Sequence, residues 1–270
     1  MKKYFVSFSS VASSIRLKKS LSHENFTLFS HFSKSLSDNC IQTLIICVSA
    51  DNEDEAYVKA NQEKNKIIAY LAGIFQVPFF FTDHSIDYEV YDSSPVPEWE
   101  TYKLPSVIPV SEGWPRSFGI IFSERETVVI DKIPDLSQYR ECEEIFYMWR
   151  SATDPFNELG WRFLNYFRIF EKITNKQRGG KQKSKEMWQA FSQAAKMIIT
   201  ENDFVVLANK WGNPSAHGHM PNSVIPITPH GQYNEHPDAT KLFMLGRILI
   251  KGVLDKSPCV GLVIKSKHDT

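Results

Sequence analysis

The ten residues that begin at Lys210 hold the side chains best suited to chemistry on a phosphodiester. A histidine, His217, stands seven residues after the lysine, and Asn213 and Ser215 lie between them. Metal-free cleavage of RNA needs a group that moves the proton of the 2′-hydroxyl or of the leaving oxygen, and a cation that stabilises charge on the phosphorus oxygens. Histidine moves protons near neutral pH, and lysine supplies a positive charge. We therefore predict catalytic roles for His217, Lys210 and Asn213, and substrate contacts for Ser215 and His219.

These residues also have a purely structural interpretation. His217 can cap a helix end or hydrogen-bond to a backbone carbonyl, and Lys210 can simply be solvated. A metal site is a further alternative, because His219 follows His217 by two residues. The other potential ligands nearby are His230, Glu235, His236 and Asp238. Their spacing matches no zinc signature, so the sequence predicts no metal and no other cofactor at this segment.

Two further groups of charged residues precede the segment. Arg168 and Glu171 are three residues apart on a predicted helix and can pair with each other. If they face the interior of a helical bundle, they would order the loop that holds His217 and contact the substrate; an ordinary surface pair is the alternative. A basic run between residues 176 and 185 could hold backbone phosphates, although such runs are more often solvated turns. Its members are Lys176, Arg178, Lys181, Lys183 and Lys185.

The elements that must position these side chains are helical. Asp154-Pro155 predicts a helix start, with the aspartate as N-cap and the proline in the first turn. The helix that follows, to about Asn175, is apolar over a broad arc and is expected at the centre of a bundle. Further helices are predicted over 184–200, over 203–209 and from Pro237 onward, with a long loop over 211–237.

The first half of the chain has a mixed pattern. Alternating apolar residues predict a strand near Tyr4, and a run of β-branched residues predicts another over 42–50. A helix should follow, capped by Asp51 and ended by Pro78. Prolines indicate loop over 82–118, and two strands are expected over 117–123 and 127–133. The sequence thus predicts an α+β chain, with an antiparallel α+β unit over 1–135 and a helical unit over 136–270.

Composition narrows the class of protein. The 270 residues include 31 basic and 31 acidic side chains, so the net charge is zero. Avid, general binding of nucleic acid is therefore disfavoured, although a small local site is not. The four scattered cysteines suit reduced thiols in a cytoplasmic protein. Serines interrupt the apolar residues after the basic start, so we expect no export. No stretch approaches the ~20 apolar residues that a membrane span needs.

The segment around His217 resembles the motif of HEPN domains, which are helical bundles. In that family an arginine and a polar residue precede a histidine, and the motif often ends in Ala-His-Gly. This chain has Asn213 and Ala216-His217-Gly218 at fitting positions. The aromatic stretch from Phe163 to Glu171 is similar to the first bundle helix of the family. The resemblance spans roughly residues 136–256.

The resemblance implies a metal-independent endoribonuclease, active in stress or phage defence, that pairs two histidine loops across a homodimer. Its substrate would be RNA. The first half of the chain resembles the α+β region that precedes such domains in bacterial proteins of the ApeA-like and methylamine-utilisation-associated kind.

One position departs from the family motif. The place of the arginine, five residues before His217, is taken by Gly212, and the nearest preceding cation is Lys210. Lysine carries a point charge and lacks the planar fork of arginine. Two alternatives to the enzyme follow. One is a non-catalytic module of the same family that binds RNA or a protein, and the other is a small-ligand sensor that uses the first half of the chain.

Overall fold

The architecture is α+β, as the sequence predicts. The computed structural model describes residues 2–10, 14–17, 21–32, 40–79, 90–92, 128–154, 157–212 and 236–256. These residues fall into two compact units. The first contains the described residues up to Pro134 except Ala72–Gln76, and the second contains Ala72–Gln76 and the described residues from Asp135 onward. None of the described helices is long and apolar enough to cross a membrane.

A five-stranded antiparallel sheet forms the main part of the first unit. Its order is β3 (Leu21–His23), β4 (Phe26–Phe32), β5 (Cys40–Ala50), β1 (Lys2–Ser10) and β6 (Val90–Asp92). The strands predicted near Tyr4 and over 42–50 are confirmed as β1 and β5, and they pair from Lys2↔Ala50 to Ser10↔Gln42. Consecutive apolar side chains of these strands are buried, which indicates that both faces of the sheet centre are covered.

A second, smaller sheet departs from the antiparallel expectation. β2 (Ile15–Leu17) pairs in parallel with β7 (Val128–Ile130), and β7 lies within the strand predicted over 127–133. Parallel strands that are far apart in the chain leave no hairpin signal in the sequence. The strand predicted over 117–123 and most of the loop predicted over 82–118 lie outside the described residues.

The helix α1 (Glu53–Phe75) follows β5 as predicted, but its cap is shifted by one residue. The side-chain oxygen of Asn52 accepts the backbone N–H of Glu55 at 2.9 Å. The backbone N–H of Asp51 donates in return to the Glu55 carboxylate at 2.8 Å. Asp51 therefore lies before the cap, and the two hydrogen bonds form a variant of the capping box, in which Glu55 accepts the N–H of the residue before the cap and not that of the cap itself.

The second unit is helical and is built around one buried helix. Its elements are a 3₁₀ helix (Leu136–Cys142), α2 (Glu143–Thr153), α3 (Leu159–Thr174), α4 (Gly180–Gln189), α5 (Gln193–Ile198), α6 (Glu201–Leu207), a π-helical turn (Ala208–Gly212) and α7 (Pro237–Leu254). α3 packs against α2, α4, α7 and the π-helical turn. The rings of Phe163, Tyr166, Phe167 and Phe170 are fully buried. The prediction of a central aromatic helix is confirmed.

The predicted start of α3 is wrong. Asp154 lies at the C-cap of α2, where its backbone N–H donates to the carbonyl of Arg150 at 3.0 Å. α3 begins only at Leu159, and Glu158 precedes it without a side-chain cap. The sequence Asp-Pro is compatible with both a helix start and a helix end, because proline is favoured in the first turn of a helix and is also common just after a helix ends.

The helix predicted over 184–200 is two helices. Ser192 caps α5, accepting the backbone N–H of Ala195 at 3.3 Å, and Thr200 caps α6, accepting that of Asp203 at 3.2 Å. Hydroxyl side chains favour such caps over helix interiors, which explains both breaks. α4 starts earlier than predicted, at Gly180, so the later lysines of the basic run lie on a helix and not in a loop.

Candidate functional site

The structure describes only part of the predicted site. His217, Asn213, Ser215 and His219 lie outside the described residues, as do the potential metal ligands His230 and Glu235. Lys210, Arg168, Glu171, His236 and Asp238 are described. Within the described ranges, no three histidine, cysteine, aspartate or glutamate side chains are grouped as metal ligands would be. Of the three predicted catalytic residues, the structure describes Lys210.

Lys210 belongs to the π-helical turn that follows α6, and it is ion-paired. Its Nζ lies 2.9 Å from Oδ2 of Asp238 in the first turn of α7. The indole Nε1–H of Trp211 donates to the same oxygen at 2.7 Å. The Lys210 side chain is 53% exposed, whereas that of Asp238 is 16% exposed. One largely buried carboxylate oxygen thus joins two consecutive residues of the turn to α7.

The environment of Asp238 keeps its carboxylate charged. Burial acts to raise the pKa of Asp238, but hydrogen bonds from Lys210 and Trp211, followed by the charge of Lys210, outweigh it and lower the pKa below its ordinary value. Asp238 is therefore ionised throughout the neutral range. The positive charge of Lys210 is matched by a fixed negative charge.

Trp211 contacts both α3 and α7. Its ring stacks on that of Phe163 in α3, with centroids 4.5 Å apart and planes inclined by 15°. Lys210 Nζ lies 4.6 Å from the centroid of the Trp211 ring. With one ring face on Phe163 and its N–H on Asp238, Trp211 holds α3, the π-helical turn and α7 together.

His236 completes this group as the N-cap of α7. Its Nδ1 accepts the backbone N–H of Asp238 at 3.1 Å, so the lone pair of Nδ1 is used to cap the helix. The imidazole meets the rings of Trp211 and Phe163 edge-on, at centroid distances of 5.4 and 6.0 Å. We refer to Phe163, Lys210, Trp211, His236 and Asp238 as the Trp211 cluster.

Gly212, which stands five residues before His217, is buried. A Cβ atom added there would lie 3.4 Å from a ring carbon of Phe167, which is itself fully buried. A side chain at position 212 would therefore start inside the helical unit and not in solvent. Within the described part of the motif, Lys210 supplies the positive charge.

Arg168 and Glu171 do not pair as the sequence suggested. The guanidinium carbon of Arg168 lies 5.5 Å from the centroid of the Trp161 ring. The Oε1 atom of Glu171 accepts the backbone N–H of Arg178 at 2.8 Å and lies 3.5 Å from its Nε. Glu171 thus fixes the segment after α3, and the structure shows no hydrogen bond or ion pair between Lys210 and either residue of the predicted pair.

Sequence reasoning missed the role of Asp238, which it treated as a helix start and an optional metal ligand, and of Trp211. The Pro237-Asp238 pair gave a signal for the helix, but nothing in the spacing pairs Asp238 with Lys210, 28 residues earlier. No protein-family model, curated protein or solved structure matches this chain.

Proposed function

We propose that this chain is an HEPN-like interaction module that binds RNA without cutting it. The observation that carries the proposal is the ion pair of Lys210 with the largely buried, charged carboxylate of Asp238. The bundle that the resemblance implies is in keeping with the position of the Phe163–Glu171 stretch in α3, which lies at the centre of a helical unit.

A catalytic cation must reach the phosphorus oxygens when their negative charge grows. Electrostatic stabilisation of that kind contributes about 3 kcal/mol for a single well-placed donor. Lys210 already faces a carboxylate at 2.9 Å, and that carboxylate also accepts the N–H of Trp211. A phosphate that approaches Lys210 meets the charge of Asp238 as well, so most of the stabilisation that a free cation would provide is cancelled.

Besides the paired Lys210, the motif has no positively charged side chain at the position where HEPN domains carry arginine. Gly212 takes the position of the family's arginine, and its Cα faces the ring of Phe167. A fork of parallel N–H donors, which only arginine provides, is therefore absent at this position. The paired lysine and the buried glycine are separate departures, and both weaken cleavage more than binding, because binding to RNA draws on charges spread over a surface.

The test is an incubation of labelled RNA with the protein in excess EDTA, with binding followed by fluorescence anisotropy in the same buffer. We expect the parent to bind RNA in a salt-dependent manner and to leave it intact. Cleavage by the parent that is lost in His217→Ala would refute the proposal and establish a metal-independent endoribonuclease. A folded protein without RNA affinity would also contradict it and would favour a protein partner.

Gly212→Arg tests whether the site is otherwise complete. New cleavage by this variant would show that only the arginine is missing. Since position 212 faces the interior, the melting temperature of the variant must be measured beside its activity, with Gly252→Arg, whose added Cβ meets nothing within 4 Å, as the matched control. The resemblance also implies a homodimer, and sedimentation equilibrium of the parent tests that prediction.

A further inference from the structure

The central helix α3 reaches solvent at two side chains in its first three turns, Trp161 and Arg168. Every other residue from Leu159 to Phe170 is buried. Trp161 is 46% exposed, and Arg168 is exposed as well. Residues seven apart stand on the same side of a helix, about 10.5 Å apart along its axis. The exposed surface of α3 in this range therefore consists of one aromatic ring and one guanidinium.

The side chains of Trp161 and Arg168 contact each other. The guanidinium carbon of Arg168 lies over the Trp161 ring, 5.5 Å from its centroid. A cation over an indole ring is attracted by the negative face of the ring. This contact uses no hydrogen-bond acceptor, so the N–H donors of the guanidinium stay available for a ligand.

The positive charge of Arg168 is not matched by a carboxylate in the described part of the chain. Lys172, one turn further along α3, pairs with Glu144 of α2. The carboxylate of Glu171 lies beside Arg178. The contact of Arg168 with Trp161 is with a neutral ring. An exposed cation of this kind attracts anions from solution.

Trp161 also differs from the other tryptophans that the structure describes. Trp149 is fully buried. The indole N–H groups of Trp188 and Trp211 donate to acceptors within the helical unit, at 3.0 and 2.7 Å. These three side chains are part of the packing of the unit, whereas about half of Trp161 is open to solvent beside an exposed cation. A flat apolar surface and a positive charge are thus presented together.

We propose that Trp161 and Arg168 bind one nucleotide of a single-stranded RNA, with the base stacked on the indole ring and the phosphate bound by the guanidinium. An aromatic ring stacks with any base, and the N–H fork of arginine matches the oxygens of a phosphate. Bases within a duplex are covered by their neighbours, so the strand must be single. The inference rests on the proposed function, keeps the substrate contact predicted for Arg168 and adds Trp161 to it.

The primary test measures the affinity for a labelled single-stranded RNA of about ten nucleotides by fluorescence anisotropy. Trp161→Leu should weaken binding by about tenfold, and Trp161→Phe should retain most of the affinity because its ring still stacks. Met197→Gln, which removes a 79% exposed apolar side chain from α5, is the matched control and should bind as the parent does. Melting temperatures show that each variant is folded.

The two side chains are told apart by salt and by the bases of the ligand. Arg168→Gln should reduce the slope of log K against log salt concentration by about 0.7, whereas Trp161→Leu should leave the slope unchanged. Lys181→Gln removes one exposed charge elsewhere in the unit, and its loss of affinity should be smaller than that of Arg168→Gln. Trp161→Leu should not change the affinity for an abasic strand or for a duplex.

The outcomes separate this inference from the proposed function. If the parent binds RNA and Trp161→Leu binds it equally well, the inference is overturned and the proposed function stands. A loss that Trp161→Phe does not restore, or that extends to the abasic strand, also overturns the stacking of a base on Trp161. A parent without affinity for RNA overturns both, and a protein partner is then the alternative for the exposed face of α3.

Discussion

Replacing Asp238 with asparagine tests the Trp211 cluster directly. Asp238→Asn keeps the shape of the side chain and an oxygen that can accept the Trp211 N–H, but it removes the negative charge. Three contributions are lost or reduced. The ion pair with the exposed Lys210 contributes at most about 1 kcal/mol. The hydrogen bond from Trp211 loses its charge assistance, about 0.5–1 kcal/mol. The carboxylate in the first turn of α7 contributes about 0.3–1 kcal/mol through the helix dipole.

Together these contributions predict a loss of roughly 1.5–2.5 kcal/mol in the free energy of unfolding of the helical unit. For a unit of this size the melting temperature should fall by roughly 5–10 °C. Thermal unfolding followed by circular dichroism at the helical band measures the change. Lys210→Gln removes only the ion pair and should lower the stability by about half as much or less.

A double-mutant cycle isolates the ion pair. The combined variant, Lys210→Gln with Asp238→Asn, should be less destabilised than the sum of the single variants, by about 0.5–1 kcal/mol. Strict additivity would refute the contact between the two side chains and remove the main support for a neutralised Lys210.

The pH dependence of the stability difference between the parent and Asp238→Asn gives an independent check. The folded pKa of Asp238 is lowered, so its stabilising contribution is fully present above the ordinary aspartate pKa of about 4 and is lost as the pH falls through the lower, folded value. The gap between the parent and Asp238→Asn should therefore be constant from neutral pH down to about pH 5 and shrink below pH 4. A gap that does not change on acidification would contradict the assignment.

Three further predictions concern other parts of the helical unit. His236→Ala should cost about 1 kcal/mol, because the cap of α7 is lost, whereas His236→Asn should restore most of it; thermal unfolding measures both. Gly246→Ala would place a Cβ atom 2.7 Å from the ring of Trp149 and should destabilise by about 1–3 kcal/mol, whereas Gly252→Ala, in open space on the same helix, should stabilise by about 0.5–1 kcal/mol. Burial, with the charge of Glu141, raises the pKa of the Cys142 thiol, so alkylation near pH 8 should be slower than that of a free thiol.

Local patterns in the sequence account for most of the fold. The strand β1 follows from alternating apolar residues, β5 from a run of β-branched residues, and the helices α1, α3 and α7 from helical apolar periodicity. The errors occur where one residue type serves two purposes. Asp154 ends a helix although its type also starts one, and Ser192 interrupts a helix that propensity alone would continue.

The candidate site could be predicted less completely. The residue types were sufficient to single out Lys210, but its partner, Asp238, lies 28 positions away and reaches it only because α3 offers Phe163 as a surface for Trp211. The burial of Arg178, whose side chain is 15% exposed although Lys181 and Lys183 of the same run are exposed, is likewise not encoded by a sequence of alternating basic residues. Long-range pairing and burial of charge depend on the tertiary structure, so they leave no periodic pattern in the local sequence.

The two positively charged places in the helical unit are both organised by α3. Phe163 anchors the Trp211 cluster, and Glu171, eight residues and about 12 Å further along the helix, holds Arg178. At the first place the carboxylate of Asp238 pairs with Lys210, and at the second the carboxylate of Glu171 accepts the backbone N–H of Arg178 and lies 3.5 Å from its Nε. Each positively charged side chain at these two places is thus matched by a carboxylate.

The ion pair of Lys210 with Asp238 predicts how the removal of charge changes the binding of RNA. The double variant Lys210→Gln with Asp238→Asn removes a pair without net charge and should bind RNA about as tightly as the parent. Lys181→Gln removes one exposed positive charge and should weaken the affinity. Lys210→Gln alone should also weaken it, because the carboxylate of Asp238 is then uncompensated and repels the phosphates. Anisotropy titrations of the three variants at one salt concentration give the comparison. A clear loss of affinity in the double variant would mean that Lys210 leaves Asp238 to bind the RNA, and it would support the catalytic roles predicted for Lys210 and His217.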